Sequence, residues 1–164
     1  MALEIERKFL VQDDSWKSEV RRSTPIRQGY FCSTPLLCGR IRVFGDRGFI
    51  TFKSEAGTLV RSEFEYEIPR SDALEIIERF CGEPLIAKTR HEVMCGDILW
   101  VVDVFEGSNA GLVVAEVELA HAEQVVSIPK WAGPEVTHDR RYGNSNLALN
   151  PFITWDVTES GSRV

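Results

Sequence analysis

The 164-residue sequence predicts an α+β fold: an eight-stranded antiparallel β-barrel with a charged lumen and helices packed outside. Three observations predict it. Eight segments read as strands, mostly adjacent in sequence, which favours an antiparallel sheet closed or nearly closed into a barrel. Nearly every one of them alternates apolar and ionic residues, so each strand has one face of each kind. Helical patterning is confined to a few short stretches that need an apolar surface to cover.

The first strand spans Leu3–Val11. Glu4, Glu6 and Lys8 share one face of it, and Leu3, Ile5 and Phe9 the other. Trp16 and Val20, at i and i+4, suggest a short helix over Asp13–Val20. The next strands are Ile26–Cys32, Leu37–Phe44, Gly48–Ser54 and Leu59–Pro69, with Gly45-Asp46-Arg47-Gly48 as a tight hairpin. A helix over Ser71–Cys81 is capped by Ser71 or Asp72 and carries Leu74, Ile77 and Phe80 on one stripe. Strands Ile86–Cys95, Ile98–Glu106 and Leu112–Ala120 follow, the last two joined by the longer turn 107–111. Short helices are expected over His121–Val126 and from Gly143 to Leu149.

Periodicity alone fits two arrangements: an ionic lumen under outer helices, or an apolar interior with every charge in water. The charge inventory favours the first. Seven bases (Lys8, Arg40, Arg42, Lys53, Arg61, Lys88, Arg90) and seven acids (Glu4, Glu6, Glu63, Glu65, Asp103, Glu116, Glu118) occupy the ionic faces. Such a lumen is tolerable only when filled by water, ion pairs and a counter-charged ligand. Glu4-x-Glu6 and Glu116-x-Glu118, with Asp103, are oxygen donors suited to Mg²⁺ or Mn²⁺. Arg40-x-Arg42 and Lys88-x-Arg90 are suited to phosphate. An acidic pole beside a basic pole describes a site for a chain of phosphates.

Several classes are disfavoured. A net charge of −6 argues against a general binder of duplex nucleic acid. No apolar run approaches the roughly 20 residues of a membrane span, and no apolar leader segment is evident. Cys32, Cys38, Cys81 and Cys95 form no CxxC and read as free thiols of a cytoplasmic protein. The sequence has no P-loop, no dinucleotide-binding glycine fingerprint and no nucleophile elbow. His91, His121 and His138 lack zinc-ligand spacing. With no repeat or linker, one domain over 1–164 is expected.

These residues resemble the CYTH superfamily, the triphosphate tunnel metalloenzymes. EIERKFL at Glu4–Leu10 resembles its ExExK motif. In order follow QGY (Gln28–Tyr30), RIRV (Arg40–Val43), TFK (Thr51–Lys53), EFEYEIP (Glu63–Pro69), KTR (Lys88–Arg90), VDVFEG (Val102–Gly107), GLVVAEVEL (Gly111–Leu119) and the segment Trp131–Ala148. The resemblance covers essentially the whole chain. It implies an eight-stranded tunnel and metal-dependent action on a triphosphate. Glu4, Glu6 and Glu116 would hold the metal directly, supported by Asp103 and Glu118. Lys8, Arg40, Arg42, Lys53, Lys88 and Arg90 would clamp the phosphates, with Arg61 a further member. A basic residue on a segment plugging the tunnel falls to Arg141.

The expected activity is hydrolysis of inorganic triphosphate to pyrophosphate and phosphate, with Lys8, Glu6 and Glu116 catalytic. The rivals are a class IV-type adenylate cyclase, a nucleoside or thiamine triphosphatase, and a polyphosphate-binding module without turnover. The expected partner is a small-molecule triphosphate, with neither duplex nucleic acid nor membrane, and a homodimer is compatible with the sequence.

Overall fold

The computed structural model describes residues 5–34, 37–53, 63–121 and 123–155. Among these, nine strands form one antiparallel sheet: β1 Ile5–Val11, β2 Val20–Ser33, β3 Cys38–Phe44, β4 Arg47–Lys53, β5 Glu63–Ile68, β6 Ile86–Cys95, β7 Ile98–Phe105, β8 Val113–Leu119 and β9 Ala132–Glu135. Their spatial order is β5-β4-β3-β2-β6-β7-β8-β1-β9. Two helices accompany them, α1 over Arg70–Phe80 and α2 over Asn144–Leu149.

The α+β class and the antiparallel sheet agree with the sequence. The strand count and the closure differ from a closed barrel of eight. The sheet has nine strands, and among the described residues no ladder joins β5 to β9. The ninth strand reads AGPE and carries no alternation, so nothing in its sequence announces it. It pairs on the outer edge of β1.

Other differences have local causes. The second strand begins at Val20 rather than Ile26, running through Pro25. Pro25 is tolerated because its backbone faces the β3–β4 turn, where Gly45 N donates to the Pro25 carbonyl at 2.9 Å. The hairpin turn is Gly45-Asp46 alone, since Phe44 already pairs with Arg47, and Gly45 supplies the positive φ of 61°. The segment expected as a first helix is a 3₁₀ turn over Ser15–Glu19. Residues 121 and 123–126 are not helical, and Gln124 Oε1 accepts from Ala120 N at 2.6 Å, a side-chain bond that competes with helix. Helix α1 starts at Arg70 behind Pro69, with no side-chain cap; Ser71 Oγ bonds Asp72 instead.

Helix α1 packs its Ala73 and Ile77 against Ile41 and Val43 on the apolar face of β3. Phe80, expected on that stripe, is exposed. The rotation follows from close docking on Gly48, where a Cβ would lie 2.8 Å from the Ala73 Cβ. A second apolar cluster gathers Phe9, Trp16, Val93, Trp100, Val102, Ala115, Val117 and Trp131 on the same side of the sheet.

The opposite, ionic face is concave. Arg90 on β6 reaches Glu116 on β8 at 3.3 Å across the intervening β7. One end of this concavity is apolar: Ile86, Phe105, Leu112 and Val114 meet Tyr142, Leu147 and Trp155 of the C-terminal segment, which plugs it.

Candidate active site

Strand parity delivers the charges. Lys8 pairs with Glu116 and Glu6 with Glu118 between β1 and β8; Arg90 pairs with Asp103 between β6 and β7. Paired residues project to the same face, and the result is one chain of contacts. Lys8 Nζ lies 2.6 Å from Glu6 Oε1 and 2.6 Å from Glu116 Oε1. Arg90 Nη2 joins Glu116 Oε2 to Asp103 Oδ2, at 3.3 and 2.7 Å, while its Nε donates to Asp103 Oδ1 at 2.8 Å. Lys88 Nζ donates to Asp103 Oδ2 at 2.5 Å and to Asn144 Oδ1 at 3.2 Å.

Burial and charge contend along this chain. Burial opposes the Lys8 charge, but Glu116 and Glu6 outweigh it and hold the ammonium above its ordinary range. Burial likewise opposes the Asp103 carboxylate, and Lys88 and Arg90 overturn that and push it well below the usual range. Glu116 is lowered too, by Lys8 and Lys88 against burial. Lys88 goes the other way: its burial outweighs Asp103 and lowers it.

The basic pole lies on β3, β4 and β5. Arg40 and Arg42 both donate through Nη2 to Glu65, at 3.2 and 3.0 Å, and Thr51 Oγ1 donates to the same carboxylate at 2.8 Å. Lys53 Nζ lies 2.9 Å from Glu63. The Nε–H groups of Arg40 and Arg42 are buried with no hydrogen-bond partner among the described residues. An unpaired buried donor costs roughly 1–3 kcal/mol, which an entering oxyanion would recover.

The concave face therefore brings together Glu6, Lys8, Arg90, Asp103, Glu116 and Lys88, with Arg40, Arg42 and Lys53 beside Glu63 and Glu65. Glu118 shares the face of Glu6 but is exposed, beside Leu99 and Val101 in a shallow cavity. Glu4 and Arg61 lie outside the described residues. Asp103 is only 1% exposed, and Lys88 and Arg90 occupy both its oxygens. Asp139 grips the Arg141 guanidinium at 2.6 Å, and Arg141 stacks over Trp155. Asn144 of the plug reaches the charged chain at Lys88.

Sequence reasoning missed Thr51 and Asn144 as contributors. Parity with Lys53 placed Thr51 on the ionic face, but a hydroxyl gives no charge signal. Asn144 opens a six-residue helix far along the chain, and only the fold brings it to Lys88.

Among the described residues no group of three or more His, Cys, Asp or Glu is arranged to hold a metal ion. Two carboxylates nevertheless converge on one cationic centre, the Lys8 ammonium, and Glu118 flanks Glu6 across the ladder. An all-oxygen set around a positive centre fits a hard divalent cation.

An antiparallel sheet whose concave face carries an acidic and a basic pole defines a protein built to hold a polyanion. The CYTH domain family model matches residues 2–148, and the chain belongs to that family. It is 44% identical over 152 residues to an inorganic triphosphatase of Acetivibrio thermocellus, covering 93% of this chain and 97% of that one. It is 38% identical over 151 residues to an inorganic triphosphatase of Nitrosomonas europaea, covering 90% and 97%. A crystal structure of an inorganic triphosphatase superposes with a TM-score of 0.68 at 36% identity, covering 91% of this chain and 96% of that one. A Pyrococcus horikoshii protein superposes at 0.55 with 20% identity, covering 73% and 81%, and shares the fold alone.

Proposed function

We propose that this protein hydrolyses inorganic triphosphate to pyrophosphate and phosphate with a divalent metal, Mg²⁺ or Mn²⁺. The observation that carries the reading is the pair of opposed poles on one concave face, with the buried Nε donors of Arg40 and Arg42 unpaired among the described residues. Two relatives named inorganic triphosphatase, alike over nearly the whole chain, support the same substrate class.

Glu6 and Glu116 would hold the metal, with Glu118 beside them and Glu4 completing the motif. A divalent ion there supplies Lewis-acid charge that lowers the pKa of water and offsets charge on phosphoryl oxygens. The chain's own residues do the positioning. Arg40, Arg42, Lys53 and Arg90 would grip phosphate oxygens at a partly buried site, where such contacts count for more than in open water. Lys8, at the acidic pole, would offset charge on the attacked phosphoryl group. Asp103 serves as the anchor that aims Arg90 and Lys88, since its oxygens are already taken.

The test is phosphate release from inorganic triphosphate, ATP, thiamine triphosphate and long polyphosphate, each with Mg²⁺, Mn²⁺ or EDTA. Turnover of triphosphate above the others, abolished by EDTA, is the expected result. Cyclic AMP from ATP, or tight binding of triphosphate with no release, would overturn it.

A further inference from the structure

Lys8 stands where a metal would have to go. Its ammonium nitrogen is 2.6 Å from both Glu6 Oε1 and Glu116 Oε1, on a side chain only 17% exposed. The contacts from Glu6 through Lys8, Glu116, Arg90 and Asp103 to Lys88 alternate in sign, three acids against three bases, and sum to zero. The basic pole is also largely neutralised, with Arg40, Arg42 and Lys53 held by Glu63 and Glu65. Among the described residues that touch one another the charges are thus nearly balanced. An entering anion must compete with carboxylates for most of the N–H donors, the Arg40 and Arg42 Nε groups excepted.

We propose that Lys8 is a resident counter-ion, which leaves the Glu6–Glu116 pair when a divalent ion takes it and turns to the phosphate. This rests on the reading of the site given above and deepens it by assigning how its two ligands communicate. A doubly charged ion on the two carboxylates repels the ammonium from the oxygens it holds at 2.6 Å. Lys8 then has no acidic partner in the pair and becomes a donor for the anion. The acidic pole goes from one net negative charge to none, and the site as a whole gains two positive charges. Each ligand therefore raises the affinity for the other by the same factor. The same exchange makes Lys8 a brake on metal binding when no phosphate is present.

The test uses Mn²⁺ alone, in phosphate-free buffer, with free Mn²⁺ read by electron paramagnetic resonance. Lys8→Met should bind Mn²⁺ about tenfold more tightly than wild type, within the usual range of coupling between sites. Lys8→Arg, which keeps the cation, should stay near wild type. Equal or weaker Mn²⁺ binding by Lys8→Met overturns the proposal. Should Lys8→Met fail to fold, wild type labelled with ¹³Cε-lysine decides the matter. The Lys8 resonance, identified by its loss in Lys8→Arg, should move on addition of Mg²⁺ alone and saturate with the site. A resonance that does not move overturns the proposal.

The two readings fail separately. Triphosphate turnover by wild type with a Lys8→Met affinity no tighter than wild type would leave the hydrolase standing and remove the counter-ion. Mn²⁺ binding unchanged in Glu6→Gln and Glu116→Gln would remove both.

Discussion

Lys88 of β6 reaches diagonally to Asp103 of β7 at 2.5 Å, with side chains 2% and 1% exposed. A buried pair of this kind is a weak source of net stability but is costly to break from one side. Asp103→Asn should lower unfolding free energy by about 3–5 kcal/mol, because it strands Lys88 and loosens Arg90. The double variant Lys88→Met/Asp103→Leu should lose less than the sum of the two single changes. Urea denaturation of Asp103→Asn, the double variant and its two single variants checks both statements.

Acid should unfold the protein through the same carboxylates. Asp103, Glu65 and Glu116 all have folded-state values below their ordinary 3.8, 4.5 and 4.5. A lowered acid contributes stability that is fully present above its ordinary value and is lost as pH falls through the folded one. Melting temperature should therefore be flat above about pH 5 and fall progressively below pH 4.5. Glu135, lowered to about 2 chiefly by the hydrogen bond from Arg7, is at the surface. Glu135→Gln should flatten the profile by less than about 1 kcal/mol.

Glu65 orients Arg40 and Arg42, and its removal acts in two directions. Glu65→Gln takes away a negative charge beside the bases, which strengthens their pull on an anion. It also releases the guanidinium groups from their common anchor. kcat for triphosphate should fall about tenfold to a hundredfold with no rise in KM. A rise in KM with kcat unchanged would show that Glu65 does not align the arginines.

Glu6→Gln and Glu116→Gln should each abolish turnover. Glu6→Gln, the more exposed of the two, should do so with little change in melting temperature. EDTA should reproduce the loss in wild type, and Mg²⁺ or Mn²⁺ should restore it. Phosphate release and circular dichroism on the same samples separate lost chemistry from lost fold.

Gly48→Ala tests the docking of α1. The added methyl would sit 2.8 Å from Ala73 Cβ and 3.0 Å from the Ile68 carbonyl oxygen, so the helix must shift. A cost of about 1–3 kcal/mol in stability is expected for such overpacking. Turnover at low temperature should be nearly unaffected, since Gly48 lies on the face opposite the charges.

The faces of the sheet were legible because parity is a strict rule. Arg40, Arg42, Lys88, Arg90 and Glu116 alternate with Ile41, Val43, Thr89, Ala115 and Val117, and no register can put both sets inside. The resemblance of Glu4–Leu10 to ExExK then gave the acidic pole a chemical meaning. What sequence did not reveal depends on long-range geometry. Ala132–Glu135 becomes a strand because β1 offers it an unpaired edge, not because its residues prefer one. Pro25 reads as a strand breaker until the position of the β3–β4 turn is known. Asp103 reads in sequence as one carboxylate among several, and only the structure brings Lys88 and Arg90 onto both its oxygens. In the plug, the uncharged Asn144 bonds Lys88, a contact that no charge pattern announces.

That plug has a consequence for local opening. A six-residue helix has no stability of its own in water. What seats α2 is burial of Leu147 together with the neighbouring Tyr142 and Trp155. The floor of the cavity is therefore the piece of the molecule that can detach without the sheet melting. When it lifts, Lys88 loses Asn144 and meets water, and a depressed amine reverts toward ordinary basicity. Amide exchange in α2 and the reactivity of Lys88 toward acylating reagents should therefore report one and the same event, fraying at the last turns and chemistry at the deepest lysine rising together.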